Sequence, residues 1–588
     1  MKLFPQIALF YFFILTLFSC RTDPAATKGT TTAATEAVVT SRLRAEPTSL
    51  NPLMTYQGID LQVIHQFFQP MIEYDAYDNT LQPVLAKTLP KATFVKEGDQ
   101  ITATRYDYEI KPDAVWDNGQ PVLASDYVFT LKYVMNPKLA GPTGAYRSAL
   151  APISQVTVDE NDPRKFSVTI SPYNFRGEYL SGGSYVVPEY LYDPKGLLKN
   201  IDVNELLDGD KAEKLAESVP ELQQFATEIN TPEFIREKIS GSGAYQLGEW
   251  TTGERLVAKK KKDWWGDAYA TTNGHFEAYP RQITYMVIPD AVPVVAMLQN
   301  GTLDATYQLP NATFLELKED PNITKNYNLL TPGNLLISFV GINGNSPKLN
   351  DKQVREALAY LLDTDEIIES VKLGMAEKIA SLIPKQLPYY DKTLKPYSLN
   401  VDKAVALLTD AGWKDTNNNG IVDKVINGKK EELSLNYMIS AGSEVSNDIA
   451  IIFKNAAIKA GVDINVDAKD RKSILKTVRS GDFELYPSAL GADLNFYDFF
   501  SYWHTDGSRN LYGFGTSKTD KIIEEIRTTT DDDRRNTLYL EMQQIIAAEN
   551  PVLFLYQTQD CVAIHKRFEN AKTSIKPPVY EENRFKLK

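Results

Sequence analysis

The sequence predicts an α/β protein built on mixed sheets rather than a barrel or a helical bundle. Two observations carry that class. From about Val38 onward, two-residue and 3.6-residue apolar periods alternate irregularly along the chain. Tyr106–Val134, YDYEIKPDAVWDNGQPVLASDYVFTLKYV, shows the unit at its clearest: a strand, two turns and a helix. At 588 residues the chain is also too long for one core, and two to four domains are expected.

Residues 1–19 read as a signal peptide. Lys2 supplies a positive start, and Leu3–Phe18 is almost wholly apolar, interrupted by Pro5 and short for a membrane span. Leu17-Phe18-Ser19-Cys20 resembles a bacterial lipobox, with Phe18 bulkier than the usual small residue. That resemblance implies cleavage before Cys20 and its lipidation. Buried acyl chains add about 0.8 kcal/mol per methylene, enough to anchor a soluble domain. Residues 20–37 are small and polar and read as a flexible tether.

Within Tyr106–Val134, Tyr106, Tyr108 and Ile110 alternate with Asp107, Glu109 and Lys111, the period of a half-buried strand. Pro112-Asp113 and Asn118-Gly119 form turns. Ser125 is placed to cap the following helix, with Asp126 in its first turn. Tyr127, Leu131 and Val134 share one helical face. Farther on, Asn200–Lys238 is acidic and helix-rich, with apolar positions at Leu206, Leu207, Leu215, Leu222 and Phe225. Lys259–Lys262 reads as a solvated strand end and turn.

Asp415, Asn417, Asn419 and Asp423 occupy positions 1, 3, 5 and 9 of an EF-hand-like loop, with Gly420 at the sharp turn. Ile426 stands where the bidentate glutamate belongs, and a strand at Leu433–Tyr437 replaces the second helix. A turn is the preferred reading and calcium the lesser one. The chain has two cysteines, Cys20 and Cys561. With Cys20 lipidated no intrachain disulfide forms, and Cys561 fits a buried small side chain.

The net charge of −13 argues against a general nucleic-acid binder. The four histidines, His65, His275, His504 and His565, lack metal spacing, and no GxSxG, HExxH or P-loop pattern occurs. No cofactor and no catalysis are expected.

Further segments follow in a fixed order: Glu46–Pro52 (EPTSLNP), Leu81–Ala86 (LQPVLA) and Ser240–Tyr245 (SGSGAY) leading to Asp263-Trp264-Trp265-Gly266. Leu298–Ala305 (LQNGTLDA), Asp351–Ala359 (DKQVREALA) and Arg534–Leu555, with Asn550-Pro551 at its break, come next. Together with Tyr106–Val134 they resemble the family 5 solute-binding proteins, the extracytoplasmic receptors of peptide-importing ABC transporters. The resemblance implies a two-lobed periplasmic-binding-protein fold, type II-like, with mixed sheets, a hinge and an inserted domain. It puts the first lobe at 38–75, 180–288 and 556–588, the inserted domain at 76–179 and the second lobe at 289–555. Residues 200–238 then read as an insertion on the first lobe. It also implies a monomeric lipoprotein on the periplasmic side or outer surface of a bacterial envelope, delivering peptides to membrane permease subunits.

The resemblance places the ligand near Ser488–Phe500, SALGADLNFYDFF. Small side chains there let another backbone approach, and Asp493 matches the family aspartate that pairs with a peptide's N-terminal ammonium. A buried carboxylate needs such a partner. Leu490, Gly491, Ala492 and Asn495 flank it. Leu490 stands where a tryptophan is common, and Leu494-Asn495-Phe496 replaces the usual proline. By position, Tyr56-Gln57-Gly58 and Leu336–Phe339, Phe339 included, match segments that bind peptide backbone as an added strand. Rival readings keep the fold with another solute (an oligosaccharide stacked on Trp503 or Tyr502, a nickel complex or haem), or make the chain a surface hydrolase or an envelope-assembly partner.

Overall fold

The computed structural model describes residues 37–98, 100–491 and 497–588. The signal peptide, Cys20 and the tether up to residue 36 lie outside them. Twenty-one strands, numbered along the chain, form five sheets among the described residues. The first sheet holds β1 (Val38–Leu43), β8 (Tyr245–Thr251), β9 (Arg255–Lys260), β10 (Gln282–Val287), β11 (Ala305–Thr306), β12 (Tyr327–Leu330) and β21 (Val562–His565). Their order is β12-β21-β11-β1-β10-β9-β8. β1 runs parallel to β10 and β11, while β21 is antiparallel to both its neighbours.

The second large sheet holds β13 (Gly333–Ile342), β14 (Ala376–Lys378), β17 (Ser434–Ser440), β18 (Asp463–Lys469), β19 (Leu485–Gly491) and β20 (Val552–Gln559), in the order β14-β20-β13-β19-β17-β18. A four-stranded antiparallel sheet, β4-β5-β7-β6, is built from β4 (Lys91–Glu97), β5 (Gln100–Glu109), β6 (Ile153–Val158) and β7 (Lys165–Ile170). Two hairpins complete the set: β2 (Ile72–Tyr74) with β3 (Leu81–Pro83), and β15 (Asp423–Ile426) with β16 (Lys429–Glu432).

Sheet membership moves the expected lobe edges. Residues 289–330, expected in the second lobe, join the first sheet through β11 beside β1 and β12 beside β21. Residues 556–559, expected in the first lobe, finish β20 of the second sheet. The pairing partners are hundreds of residues away, so local pattern does not reveal them. The helices of 203–229 pack on the four-stranded sheet and on the helix Ala124–Met135: Asn204 Nδ2 donates to Val156 O (3.1 Å) and Phe225 meets Tyr133 edge-on at 5.1 Å.

Tyr106, Tyr108 and Ile110 are buried, as are Tyr127, Leu131 and Val134 of the helix Ala124–Met135. That helix starts at Leu123 rather than Ser125, because Asp126 reaches back to accept the Leu123 N–H (3.0 Å). Asp126 also accepts Trp116 Nε1 (3.1 Å) and the Glu189 N–H (3.1 Å), tying three segments together. Lys111 breaks the strand alternation. Its buried ammonium donates to Val84 O (2.7 Å), Ala86 O (2.5 Å) and Pro83 O (3.3 Å), and burial pulls its pKa down to about 8. Lys111 thus locks the 81–86 motif onto the strand. Lys261, expected in solvent, is half-buried in an ion pair with Asp117 and donates to Gly241 O (2.8 Å). The SGSG motif has a steric cause: a Cβ on Gly241 would lie 2.1 Å from Phe67 O, and one on Gly243 2.6 Å from Gln66 O.

Candidate functional site

In open α/β sheets, ligands lie outside the carboxyl ends of parallel strands. Here the ends of parallel β1, β10 and β11 deliver Arg44, Asp290 and Tyr307 to one edge of the first sheet. The chain passes between the two large sheets at Thr331-Pro332 and at Asp560-Cys561. These crossings run side by side. Asp560 donates its N–H to Pro332 O (2.9 Å), and Gly333 pairs with Gln559.

A polar cluster caps this hinge. Gln557 Nε2 donates to Asn334 O (2.6 Å) and Gln386 Oε1 (2.7 Å), and Thr558 Oγ1 donates to Asn334 Oδ1 (2.6 Å). The Asp560 side chain sits in the same place. Burial pushes its carboxyl above the usual carboxylate range, while Asn334 and Arg44 pull the other way. On the second sheet, β19 runs back toward the hinge, so Leu336 pairs with Gly491 three residues into β13. The carboxyl end of β19 and the carboxyl ends of the first sheet's parallel strands therefore both border the crossings, and this crevice is the candidate site.

Tyr56 is 65% exposed, and Gln57 and Gly58 are exposed beside it at the start of the helix Gly58–Ile64. The loop is braced from beneath. Asp60 accepts the Thr48 N–H (2.9 Å), Thr48 Oγ1 (2.8 Å) and Thr55 Oγ1 (2.5 Å). From the helix Pro142–Leu150, the Tyr146 hydroxyl donates to Thr55 O (2.7 Å). Gly491 is exposed and Leu490 buried. Ala492, Asp493 and Asn495 lie outside the described residues. Among the described residues no hydrogen bond joins Tyr56–Gly58 to Leu490–Gly491.

Phe339 lies in the interior of the second large sheet. Its side chain is 2% exposed and packs edge-on against Tyr512 (6.1 Å), and its backbone lies between β19 and β20. A central strand has no free edge to offer a peptide. At the start of β13 the β20 register shifts between Gly333 and Ile337 and Leu336 is exposed, but Asn334 O accepts Gln557 Nε2 and the Leu336 N–H donates to Asn334 Oδ1 (2.9 Å). Trp503 is fully buried, with Nε1 donating to the Tyr497 hydroxyl (3.2 Å), so it gives a sugar no stacking face.

In the 415–423 loop, Asp415 accepts the Gly420 N–H (2.9 Å), Asn419 Nδ2 donates to Glu432 Oε1 (2.7 Å), and Asp423 accepts Thr416 Oγ1 (2.8 Å) beside Lys430 Nζ at 3.2 Å. These oxygens close a turn. No group of three or more His, Cys, Asp or Glu placed to hold a metal occurs among the described residues. The hinge residues Arg44, Asn334, Gln557 and Asp560 were not singled out from sequence. The one legible signal was Asp560, an acid directly before the apolar run Cys561–Ile564.

The sequence pattern described as bacterial extracellular solute-binding proteins, family 5 Middle, matches residues 80–512. The chain belongs to this family. The oligopeptide-binding protein AppA of Bacillus subtilis (strain 168) is 25% identical over 543 residues, 91% of this chain and 89% of AppA. The solved structure of the same organism's AppA with a nonapeptide has a TM-score of 0.65 at 22% identity, covering 94% of this chain and 99% of that one. NikA from Brucella suis in complex with Fe(III)-EDTA gives a TM-score of 0.73 at 20% identity, over 94% and 100%. This family 5 protein thus has the two-lobed solute-binding fold. No helix among its described residues is long and apolar enough to cross a membrane.

Proposed function

We propose that this solute-binding protein captures peptides in the crevice beside the hinge and hands them to the permease of an ABC importer. The observation that carries the reading is its 25% identity to an oligopeptide-binding protein along 91% of the chain. The exposed Leu336, beside the register shift at the start of β13, and the exposed Tyr56 suit an extended chain whose side chains vary. Asp493 pairs with the ligand's terminal ammonium. Ligand contacts from both lobes favour the closed form by differential affinity. The lobes are 37–75 with 180–202, 230–330 and 562–588, the inserted domain 76–179 with 203–229, and the second lobe 333–559. Lipidation at Cys20 holds a monomer at the cell envelope, and the protein performs no catalysis.

Mass spectrometry of solutes released from the purified protein tests the ligand class: peptides are expected, and a sugar or metal chelate in their place overturns the reading. For the anchor, a free peptide is expected to bind wild type about 10- to 100-fold more tightly than its N-acetylated form. Asp493→Asn is expected to erase the difference. Equal affinities throughout remove Asp493 from the site.

A further inference from the structure

The lobes touch in two kinds of place. Beside the hinge, Asn311 of the first lobe donates its Nδ2–H to Lys372 O of the second (2.9 Å). A second contact joins the second lobe to the inserted domain, through residues that take no part in the hinge. Residues 171–176, which leave β7, meet the turn between the helices Ser517–Thr528 and Asp532–Glu549.

Both sides of this contact are firmly mounted. The Tyr173 N–H donates to Thr102 O of β5 (3.1 Å), and its ring meets Phe94 of β4 edge-on at 6.1 Å. Asn174 Oδ1 accepts the Arg176 N–H (2.9 Å), and Asn174 O accepts the Gly177 N–H (2.8 Å), which shapes the turn carrying Phe175. In the second lobe, Arg535 holds the junction of the two helices. Its guanidinium donates to Thr529 O and to Ile526 O (3.3 Å) and pairs with Asp532. One turn along, the Tyr539 hydroxyl donates to Tyr497 O (2.7 Å), so the same helix is tied to the chain that follows β19.

Across the contact, the Tyr173 hydroxyl donates to Thr529 O (3.4 Å), and the Arg535 guanidinium lies over the Phe175 ring, 5.2 Å from its centroid. The Arg535 side chain is 13% exposed and Tyr173 and Phe175 are half-buried, whereas residues 531–534 stand in solvent. Parting the lobes would uncover the Phe175 ring and break the cation–ring contact. A contact this small shifts an equilibrium between open and closed forms without locking it, which suits a receptor that must also release its ligand.

We propose that the inserted domain works as a clasp: Tyr173 and Phe175 hold the second lobe at Thr529 and Arg535, and this hold sets how long the crevice keeps its ligand. Tyr173 and Phe175 are positioning residues, acting through the lobes. The clasp stands on the contact itself, and its part in retention rests on the peptide reading.

The test compares wild type with Tyr173→Phe, which removes one hydroxyl, Phe175→Ala, which removes the ring, and Phe175→Tyr, which keeps it. Donor and acceptor dyes are coupled by non-cysteine chemistry at Glu160 and Lys472, exposed positions on the two sides, and single-molecule energy transfer is read on the full chain without ligand. Phe175→Ala is expected to raise the open-to-closed ratio about tenfold and Tyr173→Phe about threefold, with Phe175→Tyr like wild type. With penta-alanine as the probe, stopped-flow is expected to show dissociation about tenfold faster in Phe175→Ala and association within about twofold of wild type. A mere folding defect would not divide the two rates in this way. Unchanged open-to-closed ratios in both Phe175→Ala and Tyr173→Phe, or a Phe175→Tyr variant as open as Phe175→Ala, overturn the clasp. An unchanged dissociation rate beside an altered ratio overturns its part in retention. Failure of penta-alanine to bind wild type counts against the peptide reading, while the energy-transfer ratios still decide the clasp.

Discussion

Two clusters of carboxylates in this molecule behave in opposite ways. At the C-terminal segment, buried Arg584 donates to buried Asp75 (2.7 Å), lies 2.5 Å from buried Glu581, and stacks over Tyr77 at 4.9 Å. Next to it Glu582 accepts from Ser41 (2.7 Å) and Gln62 (3.1 Å), and burial pushes its carboxyl up to about 7. In the 415–432 loop, by contrast, Asp415 and its asparagine neighbours stand in solvent and only shape a turn. Both clusters use carboxylates; desolvation around Arg584 makes the first a joint that fixes residues 581–584, while solvent leaves the second a local convenience.

The largest expected effect breaks the joint. Arg584→Met leaves Asp75 and Glu581 buried without their cation, and urea unfolding is expected to show a loss of about 3–5 kcal/mol. A loss below about 1 kcal/mol would abolish the contrast. The next effect depends on pH. Folded Glu582 titrates near 7 and the unfolded chain near the usual carboxylate value, about 4.3. Its contribution is therefore fully present below about 4.3 and is lost as pH rises through about 7. Glu582→Gln keeps that contribution, so its stability relative to wild type should rise by up to about 3 kcal/mol between pH 4 and 8. His65 and His275 act the other way, losing stability as pH falls through the range from their ordinary value to about 4. They are common to both proteins and cancel in the difference. A pH-independent difference would mean that Glu582 is ionised throughout.

On the surface loop the expected effects are small. Asp415→Ala should cost about 1 kcal/mol or less by the same unfolding measurement. Smallest of all, millimolar calcium should leave the melting temperature of wild type unchanged, since Asp423 already serves Thr416 and Lys430. A rise with calcium that disappears in Asp423→Asn would make the loop a metal site.

Local features were legible in the sequence. The period-two pattern put Tyr106, Tyr108 and Ile110 inside, and Asp351 begins the helix Lys352–Leu361 by accepting the Gln353 N–H (2.9 Å). Asn550, with φ 45°, ends the helix Asp532–Glu549 in the left-handed region, where the Asn-Pro pair marked a break. What escaped was non-local. Periodicity assigns a face but does not say that Lys111 bends back to three carbonyls of another segment. A strand as short as Ala305–Thr306 carries no period at all, so its sheet was misplaced. Phe339 fitted a binding segment by position, yet only the neighbours of β13 reveal that it is core. Asp560 gains its meaning from Arg44 and Asn334, more than 200 residues upstream.

The order β12-β21-β11 has a consequence for how the molecule is made. β21 separates two strands synthesised more than 230 residues earlier, so the first sheet stays split until residues 562–565 have left the ribosome. Until then an amino-terminal half with an unfilled slot must wait in an open state, and long-range closure of this kind is slow. Such a chain remains threadable until β21 is made, and that strand is the signal that the polymer can become a particle.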